Sequence, residues 1–158
     1  KLLNSTISQV DLNSIEQAMS KNTSCVSLKI QHVHTAGDIG GTFSEVLKSQ
    51  NSSLTQLDLQ ANQLFDEGAI MLAEGLRFNT TLVHLHLCEN GIGDEGVMAL
   101  SVGLCKHPRL THLQLWKNKI GDNGAAAMAA MLDTNDVLTH LILWRNIISD
   151  GGAQSFAA

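Results

Sequence analysis

One interval governs this chain. Leu54, Leu82, Leu110 and Leu138 stand 28 residues apart, and Leu57, Leu85, Leu113 and Leu141 keep the same step. So do Leu59, Leu87, Leu115 and Leu143, the asparagines Asn62, Asn90, Asn118 and Asn146, and the glycines Gly68, Gly96, Gly124 and Gly152. Columns held in one register mean that a single unit is written several times. Such a chain folds as a row of neighbours, each covering the next, and not around one centre.

Within a unit the text reads L-x-x-L-x-L-x-x-N-x-(L/I), followed by a short acidic turn. The alternation of Leu57 and Leu59 places both on one face of a short strand. Beyond Asp66, the spacing of Ala69, Leu72, Ala73 and Leu76 changes to that of one face of an amphipathic helix. Val97, Leu100 and Leu104 repeat it, as do Ala125, Met128, Ala129 and Leu132. Asp66, Asp94, Asp122 and Asp150 stand just ahead of these runs, where each carboxylate is expected to cap the helix that follows it. The asparagine column has its own logic. An amide both donates and accepts, so Asn62, Asn90, Asn118 and Asn146 are expected to satisfy loop backbone groups buried between turns.

This pattern resembles the leucine-rich repeat. Its unit length and full helix resemble the ribonuclease-inhibitor-like class, found in ribonuclease inhibitor, the sensor region of NOD-like receptors and Ran GTPase-activating protein. The resemblance implies an α/β right-handed solenoid: a horseshoe arc with a parallel β-sheet on the concave side and α-helices on the convex side. One domain over residues 1–158 is expected, with a partial repeat at 1–23, full repeats at 24–52, 53–80, 81–108 and 109–136, and a partial repeat at 137–158. That makes roughly five and a half units.

Upstream of Leu54 the grammar loosens. Cys25, Leu28 and Ile30 fill the leucine columns, and Phe43 and Leu47 the helix face. Val33 stands where Asn is expected, in the unusual turn "HVHTAGDIGG", and one extra residue falls between Lys48 and Gln50. Leu2, Ser5, Ile7, Ile15 and Met19 fit the second half of an earlier unit. Repeat arrays need polar caps. None is evident, so further repeats or domains are expected at both ends; the alternative is a complete protein with a degenerate first helix as cap.

Residues between the leucines alternate to the solvent side. Their columns read Gln56, His84, His112, His140; then Asp58, His86, Gln114, Ile142; then Gln60, Cys88, Trp116, Trp144; then Ala61, Glu89, Lys117, Arg145. A Trp pair beside Lys117, Arg145 and Ile142 has the composition of a protein-interface hot spot. With His84, His86, His112, His140 and Glu89 it is the candidate partner-binding surface, on the concave face. The four histidines also suggest a metal, with Cys88 and Glu89 close by. A ladder along a sheet spreads its ligands, so no metal or cofactor is expected. Stacked imidazoles would repel once protonated, which would weaken binding below about pH 6.

The remaining observations exclude more than they assign. The net charge is −5 with no basic cluster, which argues against nucleic acid. No run of about 18 apolar residues exists to span a membrane. Cys25, Cys88 and Cys105 form no CxxC pair, and reduced thiols suit a cytoplasmic protein. Four N-x-S/T triplets, at Asn4, Asn22, Asn51 and Asn79, suggest a secreted or surface glycoprotein as the alternative. Three of them recur just before a strand, however, and so look like repeat grammar. No phosphate loop or nucleophile elbow is present, and Cys88 beside His86 is the one nucleophile–base pair. The expectation is a non-enzymatic protein-recognition module, with a regulator of a small GTPase as runner-up.

Overall fold

The computed structural model describes residues 2, 3, 6, 7, 9–35, 38–49 and 53–157, with side chains from residue 11 onward except at 34 and 35. Asn4, Ser5, Gln50 and Asn51 lie outside the described residues. In chain order the elements are β1 (Leu2–Leu3), β2 (Thr6–Ile7), α1 (Gln9–Lys21), β3 (Ser27–Gln31), β4 (His34–Thr35) and α2 (Ile39–Lys48). Then follow β5 (Gln56–Asp58), α3 (Phe65–Leu76), β6 (His84–His86), α4 (Asp94–Leu104), β7 (His112–Gln114), α5 (Asp122–Leu132), β8 (His140–Ile142) and α6 (Asp150–Gln154), closed by a 3-10 turn at Ser155–Ala157.

One parallel sheet runs β1-β3-β5-β6-β7-β8, and β2 pairs with β4 beside it. Leu57 pairs with Leu85, Leu85 with Leu113, and Leu113 with Leu141, so the written interval is the structural pitch. Between β3 and β5 the step lengthens: Ser27 meets Gln56, which absorbs the extra residue of that unit. Leu57, Leu85 and Leu113, with Leu59, Leu87 and Leu115, are fully buried. Leu72, Leu76, Leu100, Leu104 and Met128 meet them from the helices to make one continuous core. The helices can approach this closely because small residues face one another; a Cβ on Gly103 would lie 2.7 Å from the Ala73 carbonyl oxygen.

Adjacent units are stitched by side chains. Asn118 Oδ1 accepts from the N–H groups of Asn90 and Ile92, at 3.0 and 3.1 Å. Its Nδ2 donates to the carbonyls of Leu87 and Leu115. Asn146 makes the equivalent four bonds, and Asn90 three of them, its Nδ2 donating to the Cys88 carbonyl where the others reach a leucine. Val33 has no amide to offer, but its own N–H still donates to Asn62 Oδ1.

The aspartates act differently from the sequence expectation. All four lie inside the first turn of their own helices, and Asp66, Asp94 and Asp122 each cap the next one. Asp66 Oδ1 accepts from the N–H groups of Gly93 and Gly96, and Asp94 Oδ1 from those of Gly121 and Gly124, at 2.6 to 3.0 Å. Asp122 reaches the Ser149 N–H and hydroxyl in the same way. This explains the glycine column, because a Cβ on Gly96 or Gly124 would sit 2.7 Å from the visiting carboxylate oxygen.

A second polar column closes the helix-to-strand turns. Asn79 Oδ1 accepts from the Thr81 and Leu82 N–H groups, while its Nδ2 donates to the Leu47 carbonyl. Asn135 does the same toward Val137, Leu138 and the Leu104 carbonyl. In the unit between them the place is taken by His107, whose Nδ1 accepts from the Arg109 and Leu110 N–H groups. Its Nε2 is buried with no partner among the described residues. Burial pushes this imidazole down to about 4 from its ordinary 6.5.

Removing the Asn118 amide leaves four buried backbone groups without it. Asn118→Ala is expected to lower the unfolding free energy by about 3 kcal/mol or more in urea titration. His107 gives a pH dependence of definite sign. Between pH 6.5 and 4 the unfolded chain binds a proton that the folded one refuses. Its contribution is therefore complete above pH 6.5 and is lost progressively on the way down to 4. Across that window His107→Asn, which restores the column's usual residue, is expected to flatten the fall of Tm with pH.

Candidate sheet-face recognition site

Because successive strands pair in register, equivalent outward side chains stack at about the strand spacing. The His84 and His112 rings lie 4.4 Å apart between centroids, tilted by 38°. His112 and His140 lie 4.1 Å apart and nearly parallel, at 8°. Trp116 and Trp144 stack at 4.7 Å and 4°. Trp116 is half-buried, whereas Trp144 is 51% exposed. The structure thus brings the predicted His84–His112–His140 column and the Trp pair onto one surface.

Just past the Trp column the chain turns sharply. Ala61, Glu89, Lys117 and Arg145 all take left-handed backbone, with φ between 56° and 58°. The turn ends the strand and drops the following Asn into the core. For a residue with a Cβ this conformation costs about 1 kcal/mol. The sequence carries no glycine there to announce it, so this feature goes unmarked in the text.

The charged residues neutralise one another in pairs. Lys117 Nζ lies 2.6 Å from Glu89 Oε2, and Gln60 Nε2 donates to Glu89 Oε1 at 3.0 Å. The Lys117 contact, with Gln60, holds the Glu89 carboxyl below the usual carboxylate range. Asp58 is only 2% exposed, beneath Lys29, Gln31 and His86. Burial alone would raise its pKa, but His86, the Gln60 N–H and Gln31 outweigh burial and hold it low. Arg145 stands apart: its Cζ lies 5.0 Å from the Trp144 ring centroid, and no carboxylate meets it among the described residues.

Two sequence readings need correction. Cys88 does not face solvent with its column; it is fully buried, and burial pushes its thiol up to about 12. A thiolate for the Cys88–His86 pair is therefore absent at neutral pH. Ile142, paired with Gln114 of the neighbouring strand, is half-buried, and the exposed apolar residue that follows Trp144 in the chain is Ile147, at 71%. Lys117 is exposed, as the sequence places it, with its Nζ engaged by Glu89. Parallel imidazole planes also aim their nitrogen lone pairs side by side, and among the described residues no three His, Cys, Asp or Glu side chains converge on a point. The glycan question narrows as well. Asn79 is buried and its Nδ2 is bonded, and Asn22 Oδ1 accepts from Ser24 and Cys25 in the same turn motif.

The chain has two tryptophans and no tyrosine. The stacked indoles are therefore expected to give an exciton couplet in circular dichroism. Trp144→Ala should abolish it while leaving helical dichroism intact and stability within about 1.5 kcal/mol.

Comparison with known proteins follows the same line. The Leucine Rich repeat family matches residues 50–73, 78–101 and 106–129. No curated protein matches the chain. Among solved structures, one described as Leiomodin-1 Actin-Binding Site 2 (ABS2) superposes with a TM-score of 0.78 at 20% identity, covering 96% of this chain and 87% of that one. No described helix is long and apolar enough to cross a membrane. With its pitch, its asparagine ladder and its alternating strands and helices, the chain is a leucine-rich repeat solenoid.

Proposed function

We propose that this solenoid is a non-catalytic protein-recognition module, and that it holds its partner on the concave sheet face around Trp116 and Trp144. The observation that carries the reading is the stacked indole pair, half of it open to solvent and rimmed by Arg145 and the Lys117–Glu89 pair. Such a pair supplies a large, rigid apolar surface with little rotamer freedom left to lose. Trp and Arg are the residues enriched where a few side chains dominate binding energy. His84, His86, His112, His140 and Ile142 extend the surface across the three strands.

Three further points support the reading. The columns are fixed by a rigid repeat, so the surface is formed before a partner arrives, which lowers the entropy cost of association. Its cysteines are free, which suits a reducing, cytoplasmic compartment. The likeness to the leiomodin-1 Actin-Binding Site 2 makes actin the first partner to test. Co-sedimentation with filamentous actin is the assay. The wild-type chain should pellet with filaments, and Trp116→Ala/Trp144→Ala should lose at least about tenfold in affinity, or about 1.4 kcal/mol, with its fold intact. Binding by the wild type that the double variant retains in full would refute the hot spot.

A further inference from the structure

The sheet face has an unequal balance of satisfied and unsatisfied charge. Both of its acids are already engaged, Asp58 by Lys29, Gln31 and His86, and Glu89 by Lys117 and Gln60. Arg145 and the histidine column are what remain to meet a partner. The column's protonation chemistry is fixed by its neighbours. The Thr139 hydroxyl lies 3.1 Å from the Thr111 carbonyl, to which it can donate, and 2.8 Å from His140 Nδ1, from which it can then accept. The Thr111 hydroxyl stands in the same relation to the Val83 carbonyl and His112 Nδ1. With the hydroxyl protons given to these carbonyls, the neutral His112 and His140 rings carry their own proton on Nδ1 and present Nε2 as a lone pair. Taking up a proton turns each Nε2 from an acceptor into a donor.

We propose that this face takes a carboxylate-bearing segment of its protein partner across His84, His112 and His140, and that the contact tightens as the column takes up protons. This rests on the recognition reading above and adds the partner's chemistry. Two imidazolium rings 4.1 Å apart repel, the more strongly the less water lies between them. Alone, the column resists charging. His112, flanked on both sides, is held below the usual imidazole range by partial burial and then by His140, His84 and His86. A carboxylate laid over the rings cancels that repulsion and accepts from the new Nε2–H donors. Proton uptake and carboxylate binding then favour each other by the same amount. The repulsion that would weaken a neutral partner becomes a driving force for an acidic one.

The other charged groups facing the column are His86 and Asp58 on one flank, with Lys29 beyond, and Glu89, Lys117 and Arg145 along the rim. Asp58 and Glu89 both sit below the ordinary carboxylate range and stay charged above pH 5. The slope over that range therefore belongs to the imidazoles. The sign is definite: affinity rises as pH falls from 7.5 to about 5.5, then fades near pH 4 as the partner's own carboxylates protonate.

The test uses three ten-residue peptides, alternating serine with glutamate, glutamine or lysine, and follows tryptophan fluorescence, which in this chain reports only Trp116 and Trp144. The glutamate peptide is expected to bind at least about fivefold tighter at pH 5.5 than at 7.5. In His112→Gln/His140→Gln, checked for fold by circular dichroism, that gain should disappear. Reciprocally, the imidazole proton resonances of His112 should titrate at higher pH when the glutamate peptide is bound. Equal or tighter binding of the glutamine or lysine peptide at pH 5.5, no binding of the glutamate peptide, or the same gain in the glutamine variant would each overturn the proposal. Any of these results alongside an actin loss in the double tryptophan variant would leave the recognition reading standing. A peptide response alongside undiminished actin binding by that variant would sink the recognition reading instead.

Discussion

The structure depends on the hydrogen-bonded closure between one unit and the next. Parallel strands of three residues supply few ladder bonds, and a lone strand–helix unit has no second layer to bury its leucines against. The asparagines make up the difference in one direction. Asn118 serves backbone groups at Asn90, Ile92 and Leu87, all in the unit before it. The aspartates work in the other: Asp94 serves Gly121 and Gly124 in the unit after it. Each of the three units carrying Asn62, Asn90 and Asn118 is thus tied backward by an amide and forward by a carboxylate, at opposite ends of its turn. A shift of one residue would break both ties and also turn the leucines to the wrong face.

The recognition surface follows from that closure. A pitch that repeats without slip stacks whatever residue each column carries, and so limits what a column can hold. Like charges directly opposite one another are destabilising. The columns on this face answer with neutral aromatic rings, with neutral imidazoles, or with alternating sign. Glu89 lies between Gln60 and Lys117, and Asp58 beside His86. Where two cations do follow each other, at Lys117 and Arg145, they part company. Lys117 leans back to Glu89, and Arg145 folds over the Trp144 ring. The stacked indoles and imidazoles are what an in-register array can repeat without penalty, and they are also the side chains that bind proteins well.

The periodic part of this was legible in the text, because a column is a one-dimensional record of a stacked position. The leucine faces, the strand–helix alternation and the outward identity of His84, His112, His140, Trp116 and Trp144 follow from spacing alone. What escaped were relations between columns. Asp66 looks like the cap of its own helix. Only the pitch of the solenoid shows that its carboxylate lies nearer Gly93 and Gly96 than its own backbone. Cys88 shares a column with Trp116 and Trp144 yet is sealed, since a small thiol is roofed by neighbours that a large indole pushes through. The left-handed residues Ala61, Glu89, Lys117 and Arg145 have no common chemistry to betray them. His107 hid in plain view: the column beneath it reads Asn79 and Asn135, and a histidine there is an amide substitute lacking the second bond.

The array is also unequal along its length, and the inequality falls where the physics places it. In the longer unit Asp38 caps its own helix through the Gly41 N–H, at 2.7 Å. At the start of α3 the Phe65 N–H turns to the Asn90 carbonyl, and Gln63 and Phe65 are both forced to positive φ. From Asp66 onward the forward carboxylate tie is in place, and the loops leading into α4 and α5 begin their helices from extended glycines. The His and Trp columns sit on β6 to β8 and their trailing turns, entirely within this regular stretch. Stacking three imidazoles in one column and two indoles in another requires a pitch without slip. A site of this kind therefore belongs on the stretch where the ties hold successive units in register, and the departures from the repeat lie outside it.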